Sequence, residues 1–259
     1  MTMNVSSVMV DGKVRSLNIP TGVRALLWKL GFKLVRLQKY PTGGNLYIDL
    51  LRFPPFGGVK TIFDVGANVG QTALEFSHYF PDSEIHCFEH ASKTFDELRK
   101  NVASFKNIHA HCTALGPEKG TVKLKLQSQS TNNSLNPIVQ EGRAEHTQWT
   151  GDTEDVSMTT LDSFCEENKI ANIDLLKVDA GGFDIRILEG AEGLFSENRI
   201  SLVFVEMTLD PRNQVHCQFS ELISFFSTRN LVPVAIYDQC VASDLSRNYY
   251  ANALFSKMS

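Results

Sequence analysis

Apolar and polar positions change period several times along this chain, and each change marks an element. From residue 61 onward, short apolar runs alternate with stretches of helical spacing. TIFDV (61–65), EIHCFE (84–89), IHAHCTAL (108–115), IDLLKVD (173–179), SLVFVEM (201–207) and LVPVAIY (231–237) read as buried strands. TVKLKLQ (121–127) alternates apolar and polar residues, as a strand with one wet face does, and NYYANALFSK (248–257) reads as a closing strand. Helical spacing fills QTALEFSHYF (71–80), KTFDELRKNVASF (93–105), LDSFCEENK (161–169), FDIRILEGAEGLF (183–195) and FSELISFFSTRN (219–230). This alternation predicts an α/β fold, a mostly parallel sheet with helices on both faces.

Two segments stand outside the rhythm. In TGVRALLWKLGFKLVRLQKY (21–40), Val23, Leu26, Leu27, Leu30, Leu34 and Leu37 share one helical face, while Lys29, Lys33, Arg36 and Tyr40 share another. We read a cap helix on the main domain with a solvated basic face, in preference to a helix lying on a membrane surface. The expected organisation is a small N-terminal helical segment, 1–58, followed by one domain, 59–259. Residues 128–155 are polar and without period. They are expected to form a long loop, either a lid or a disordered connection. His146 and Trp149 within it are candidates to close over a substrate, against the plainer reading of exposed loop residues.

Composition narrows the class. The 259 residues are 42% hydrophobic and 21% charged, with a net charge of −4, ordinary for a globular protein with a sizeable core. The charge is uneven: residues 1–60 carry nine Lys/Arg against two Asp/Glu, and the remainder is acidic. No basic stripe overlies the motif-bearing part, which argues against a nucleic-acid partner. The five cysteines are scattered and form no CxxC pair, so neither a disulfide framework nor a zinc site is signalled. No apolar run reaches the roughly 20 residues of a membrane span, and a cytoplasmic location is the expectation.

The chemistry is carried by FDVGANVGQ (63–71). A strand ends at Asp64, Gly66 and Gly70 follow, and a helix begins. Ligands of open α/β sheets bind beyond the carboxyl ends of strands, where glycines admit close approach and a helix N-terminus offers free N–H groups. The dinucleotide pattern GxGxxG is absent: Asn68 and Gln71 occupy its second and third glycine positions. An acid in the loop favours a cationic ligand, such as an amino-acid ammonium. Glu89, ending the second strand, is placed to accept the hydroxyls of a ribose. An amino-acid group near Asp64 and a ribose near Glu89 together describe S-adenosylmethionine.

These motifs, with CFEHASKTFDELRKN, ALGPEKGTVKL, TLDSF, IDLLKVDAGGFDIRILEGA and LVFVEM in the same order, resemble the FkbM-type methyltransferases, a branch of the class I, Rossmann-like methyltransferases. The likeness covers roughly residues 60–207. It implies a seven-stranded sheet whose last strand is antiparallel, and methyl transfer from S-adenosylmethionine, leaving S-adenosylhomocysteine. The implied acceptor is a hydroxyl on a sugar, glycan or polyketide-like molecule. It further implies that Asp64, Gly66, Ala67, Asn68 and Gly70 form the cofactor loop and Glu89 holds the ribose. Main chain near Ala114 and Leu115 borders the adenine, with His90, Asn133, Ser134 and Asp179 near the cofactor. Two positions depart from the family. His90 replaces a proline, and in the pattern Lys-Ile-Asp-Val-Glu-Gly-x-Glu, carried here by Lys177 to Asp184, the first glutamate is Gly181.

An alcohol acceptor must lose a proton, and a positioned base contributes typically 10²–10⁴-fold. Asp179, at the end of its strand, is the candidate base, or the ligand of a divalent ion that acidifies the hydroxyl. Its plain alternative is a helix N-cap. Glu206 ends the next strand and faces the same crevice. Lys177 is placed to orient Asp179, or else reaches solvent as a strand lysine. Asp184, in a first helical turn, suits the helix dipole. Two other functions remain open at this point: a cofactor-binding module with weak or no catalysis, motivated by Gly181, and a nicotinamide oxidoreductase, disfavoured by the missing glycines. Oligomeric state and metal dependence are not legible.

Overall fold

A computed structural model describes residues 7–10, 13–16, 21–30, 39–55, 57–128, 133–141, 148–244 and 248–258 of the chain, which divides into Met1–Pro54 and Pro55–Ser259. The first unit holds strands β1 (Ser7–Val10) and β2 (Lys13–Ser16), paired antiparallel, and helices α1 (Thr21–Lys29) and α2 (Leu46–Arg52). The hairpin departs from the helical segment expected. Its strands are too short for alternation to register, although Asp11-Gly12 between them is a dipeptide that two-residue hairpins favour. Of the expected 21–40 helix, Thr21–Lys29 is helical, and residues 31–38 lie outside the described ones. Helix α2 starts on Asn45, whose side chain accepts from Ile48 N, and buried Asp49 accepts from Gly43 N at 2.7 Å.

The second unit runs β3 (Thr61–Val65), α3 (Gln71–Tyr79), β4 (Glu84–Glu89), α4 (Ser92–Val102), β5 (Ile108–Cys112), β6 (Ala114–Leu115), β7 (Gly120–Gln127), α5 (Pro137–Gln140), β8 (Trp149–Thr159), α6 (Leu161–Glu167), β9 (Ile173–Val178), α7 (Asp184–Glu189), α8 (Glu192–Ser196), β10 (Ile200–Met207), α9 (Phe219–Ser227), β11 (Leu231–Val241) and β12 (Asn248–Lys257). The apolar runs and the closing segment lie side by side in a seven-stranded sheet, order β11-β12-β10-β9-β3-β4-β5. Strands β10, β9, β3, β4 and β5 are parallel, and β12 is antiparallel to both β10 and β11. This is the class I layout. The core strands are apolar on both faces because helices cover both, and Phe63, Leu176, Val178, Val203 and Val205 are fully or almost fully buried in one core with Leu188 and Phe226. No described helix is long and apolar enough to cross a membrane.

Two expectations needed correction. Part of the supposed loop 128–155 is strand: β8 pairs antiparallel with β7 and, through its last residues, parallel with β6, giving a separate three-stranded sheet. Only its C-terminal half carries buried apolar residues, Val156 and Met158, so the polar half shows no period. The second correction is at Gly190, where the single helix expected over 183–195 breaks into α7 and α8. A Cβ on Gly190 would lie 2.2 Å from Gly116 O, so the chain turns where the loop after β6 comes closest. Asp162 then starts α8, accepting from Gly193 N at 2.8 Å and Leu194 N at 2.9 Å.

Candidate active site

The strand order reverses between β3 and β9. From β3 the chain builds outward through β4 and β5, then returns to place β9 and β10 on its other side. A crevice opens at the carboxyl ends of such a pair. Here the loops after β3 and β9 meet. Asp179 N donates to Val65 O at 3.1 Å, and a Cβ on Gly66 would sit 1.9 Å from Asp179 O. Gly66 also has φ +76, so both the conformation and the space require glycine. Gly66 N and Ala67 N donate to Phe88 O, which ties the loop to β4. Asn68 takes φ +49, a left-handed conformation that asparagine tolerates, and its N–H donates to Glu89 Oε2 at 3.1 Å.

Strand register brings the charges together. Asp64 on β3 is the direct neighbour of Lys177 on β9. Lys177 Nζ lies 2.9 Å from Asp64 Oδ1, 3.4 Å from Asp179 Oδ2 and 3.5 Å from Gly66 O, so the lysine points inward and not to solvent. Burial pulls the Lys177 ammonium down, but Asp64 and Asp179 outweigh it and hold it above the ordinary lysine range. Asp64 is fully buried and its charge is met by Lys177, so it supports the loop from behind without presenting an open carboxylate. Asp179 is different: its side chain is 45% exposed. It caps no helix: α7 starts after Phe183 with no side-chain cap. Buried Asp184 accepts from Ala180 N at 3.1 Å and Gly182 N at 2.9 Å, closing the Gly181-Gly182 turn. Burial pushes Asp184 up to about 6, against the backbone N–H bonds that lower it. Glu206, from β10, stands beside Asp179, one step past the Val205–Val178 register pair, and burial followed by Asp179 and Asp184 raises it well above the usual carboxylate range.

A second group of residues lines a narrow crevice beside this cluster, walled by Val65, Gly66, Phe88, His90, Ala114, Leu115, Leu135 and Phe183. Glu89 stands at its edge, buried, each oxygen accepting one backbone N–H: Ala91 N at 2.9 Å and Asn68 N at 3.1 Å. A carboxylate has about four acceptor positions, so both oxygens keep capacity for a ribose diol. His90 is half-buried, and desolvation holds it below the ordinary histidine range. A mostly apolar slot next to a buried acid and a glycine loop fits the adenosine end of S-adenosylmethionine. Asn133 and Ser134 serve the backbone: Asn133 Oδ1 accepts from Gln127 N, and Ser134 Oγ donates toward Ala180 O and Gly181 O. Another hollow opens by the amino ends of β9 and β10. Its Asp162 and Arg199 are engaged with backbone. Among the described residues no group of three or more His, Cys, Asp or Glu side chains is arranged to hold a metal ion. Trp149 is exposed on β8, and His146 lies outside the described residues.

Three participants were not singled out from the sequence. Asn136 Nδ2 bridges Gly181 O at 3.4 Å and Val215 O at 2.8 Å, joining the 133–136 segment, the glycine turn and the loop after β10. His216, from that loop, places Nε2 at 3.5 Å from Glu206 Oε2. Tyr250, on β12, stacks near the His216 ring, with centroids 5.8 Å apart. Each contact crosses between distant segments, and no spacing motif announces it.

The model of the methyltransferase FkbM domain matches residues 64–232 of this chain. Methyltransferase 1 of Beauveria bassiana (strain ARSEF 2860) is 26% identical over 157 residues, 53% of this chain and 61% of that protein. Methyltransferase sdnD of Sordaria araneosa is 26% identical over 155 residues, 51% of this chain and 60% of that one. The chain thus spans about three fifths of the length of the curated relatives it matches. Among solved structures, a putative RNA methyltransferase from Pyrococcus horikoshii is similar at 14% identity and a TM-score of 0.42, over 86% of this chain and 88% of that one.

Proposed function

We propose that this chain, which belongs to the FkbM methyltransferase family, transfers a methyl group from S-adenosylmethionine to a hydroxyl oxygen of a sugar, glycan or polyketide-like small molecule. The observation that carries the oxygen acceptor is Asp179: a half-exposed carboxylate at the switch point, backed by a buried lysine and set beside a second acid. The 66–70 loop and Glu89 would hold the amino-acid and ribose parts of the cofactor, with His90, Ala114 and Leu115 against the adenine. When bound, S-adenosylmethionine supplies an activated methyl group and leaves as the neutral thioether S-adenosylhomocysteine. Alignment of the acceptor then supplies most of the rate, and the remaining demand is its proton. Asp179 takes that proton. Lys177 keeps Asp179 oriented and anionic. The two curated relatives are named methyltransferases, which supports the reaction class without specifying an acceptor.

The test is binding followed by transfer. Calorimetry should detect S-adenosylhomocysteine, and Glu89→Ala should weaken it about tenfold or more by removing charge-assisted bonds to the ribose. Asp179→Ala should keep that affinity within a few-fold yet abolish transfer of a labelled methyl group to a panel of glycan and polyketide hydroxyls. Absence of cofactor binding, or binding of NAD in its place, overturns the reading. Binding without transfer to any acceptor in the panel assigns the chain to the binding-only alternative that Gly181 suggests.

A further inference from the structure

His216 lies in the loop between β10 and α9, and its surroundings fix where its proton sits. Asn213 Oδ1 accepts from two backbone groups, Val215 N at 2.9 Å and His216 N at 3.1 Å. This orients the carboxamide. Its Nδ2 must therefore be the donor on the other side, where it meets Tyr249 O at 2.7 Å and His216 Nδ1 at 3.0 Å. An imidazole that accepts at Nδ1 and stays neutral carries its hydrogen on Nε2. Nε2 is the nitrogen that faces Glu206 Oε2. Strand register sets Glu206 beside Asp179, one step past the Val205–Val178 pair, and two carboxyl groups in contact share a hydrogen bond only when one is protonated.

The charged and titratable groups around this chain of contacts are Lys177 on β9, Asp179 just beyond it, Asp184 on α7 and Tyr250 on β12. Glu206 is the more buried of the two acids: its side chain is 15% exposed against 45% for Asp179. Lys177 lies directly against Asp179. Both facts put the proton on Glu206 and the negative charge on Asp179. Burial also holds His216 below the ordinary histidine range, against the pull of Asp179, which agrees with a neutral ring.

We propose that His216, locked as its Nε2–H tautomer by Asn213, is a positioning residue that donates toward Glu206 Oε2, leaves the Glu206 proton on the other oxygen for Asp179, and so keeps Asp179 the anion that meets the acceptor hydroxyl. The inference rests on reading Asp179 as the base. The donors run one way, from a backbone-anchored amide to the site. The opposite tautomer would present a lone pair to Glu206, draw its proton away from Asp179 and leave two acids repelling each other.

Imidazole ¹H–¹⁵N correlation spectra of the ¹⁵N-labelled full chain, with a ¹³C-carboxyl titration of Glu206, test this without any acceptor. Wild-type His216 should be neutral with its hydrogen on Nε2 near neutral pH, and Glu206 should titrate above the ordinary carboxylate range. Asn213→Asp keeps the backbone acceptor but replaces the donor with a second acceptor. It should move the His216 hydrogen to Nδ1 and raise the Glu206 midpoint by about one pH unit or more, because the exposed Nε2 lone pair and the added carboxylate both favour the protonated acid. A wild-type ring protonated on Nδ1 overturns the proposal, and this measurement needs no variant to fold. A folded Asn213→Asp protein with an unchanged tautomer and unchanged Glu206 titration also overturns it. Because no readout requires turnover, the expected tautomer combined with full methyl transfer by Asp179→Ala would overturn only the role of Asp179.

Discussion

Gly66 and Gly182 each stand where another backbone comes within 2 Å of an added Cβ: Asp179 O at 1.9 Å from the first, Val215 O at 1.7 Å from the second. Gly66→Ala must therefore push the loops after β3 and β9 apart. Chemical denaturation should show a loss of about 2 kcal/mol or more, and cofactor affinity should fall with it. An alanine variant of unchanged stability and affinity would refute this placement of the loops. Gly181 is a milder case. Its φ is +57, and an added Cβ would meet only the Ser134 side chain at 3.1 Å. Restoring the family's acid with Gly181→Glu should cost roughly 1 kcal/mol, mostly from backbone conformation, and Gly181→Asn should cost less. Equal costs for the two would point to crowding in place of conformation. At this scale the strand-end acids Asp64, Glu89 and Asp179 were legible in the sequence, because apolar runs stop on them. That Asp64 faces Lys177 was not, since register between distant strands decides it. His216 and Asn213 were invisible for the same reason.

Two helix starts in this fold are capped from elsewhere. Helix α4 begins after Ala91, which has no capping side chain. Glu154 of β8 accepts from Ser92 N at 3.0 Å, and Glu89 accepts from Ala91 N. Helix α8 likewise relies on Asp162 of α6. Asp162→Ala should destabilise by about 1–2 kcal/mol, the usual cost of a lost cap, measurable as a lower urea midpoint. An unchanged midpoint would mean the α8 N–H groups find water instead. Borrowed caps explain which elements the pattern located well and which it blurred. Four parallel strands matched to within about a residue, whereas the expected strand 108–115 splits after Cys112 into β5 and β6, which lie in different sheets. Helix ends and the α7/α8 break did not match, because the residues that terminate them lie far along the chain. Strand β8 escaped because its outer half is held by backbone pairing to β7 and carries no apolar stripe.

Across the whole α/β unit, the acids of the site tie stability to pH in an unusual direction. Asp184 is protonated more readily folded than unfolded, with a folded value of about 6 against 3.8 for the free group. Between those values the native state binds the extra proton, so stability falls as pH rises through the window and is fully present below it. Glu206 acts in the same sense. The cost of Asp184→Asn should therefore be largest near the lower end of that window and smallest above its upper end, in urea titrations at a series of pH values. A cost that grows with pH would refute the buried, proton-holding Asp184. Sheet order was legible at this scale only through the family resemblance, since periodicity says which segments are strands but not which are neighbours. That order has a consequence for synthesis. Strand β12 lies between β10 and β11 yet follows both in the chain. While a ribosome is still making residues 248–257, β10 has an open edge and β11 has no partner at all. A nascent chain must carry both exposed until its final strand slides into the gap, and during that interval it depends on chaperones more than the finished fold does.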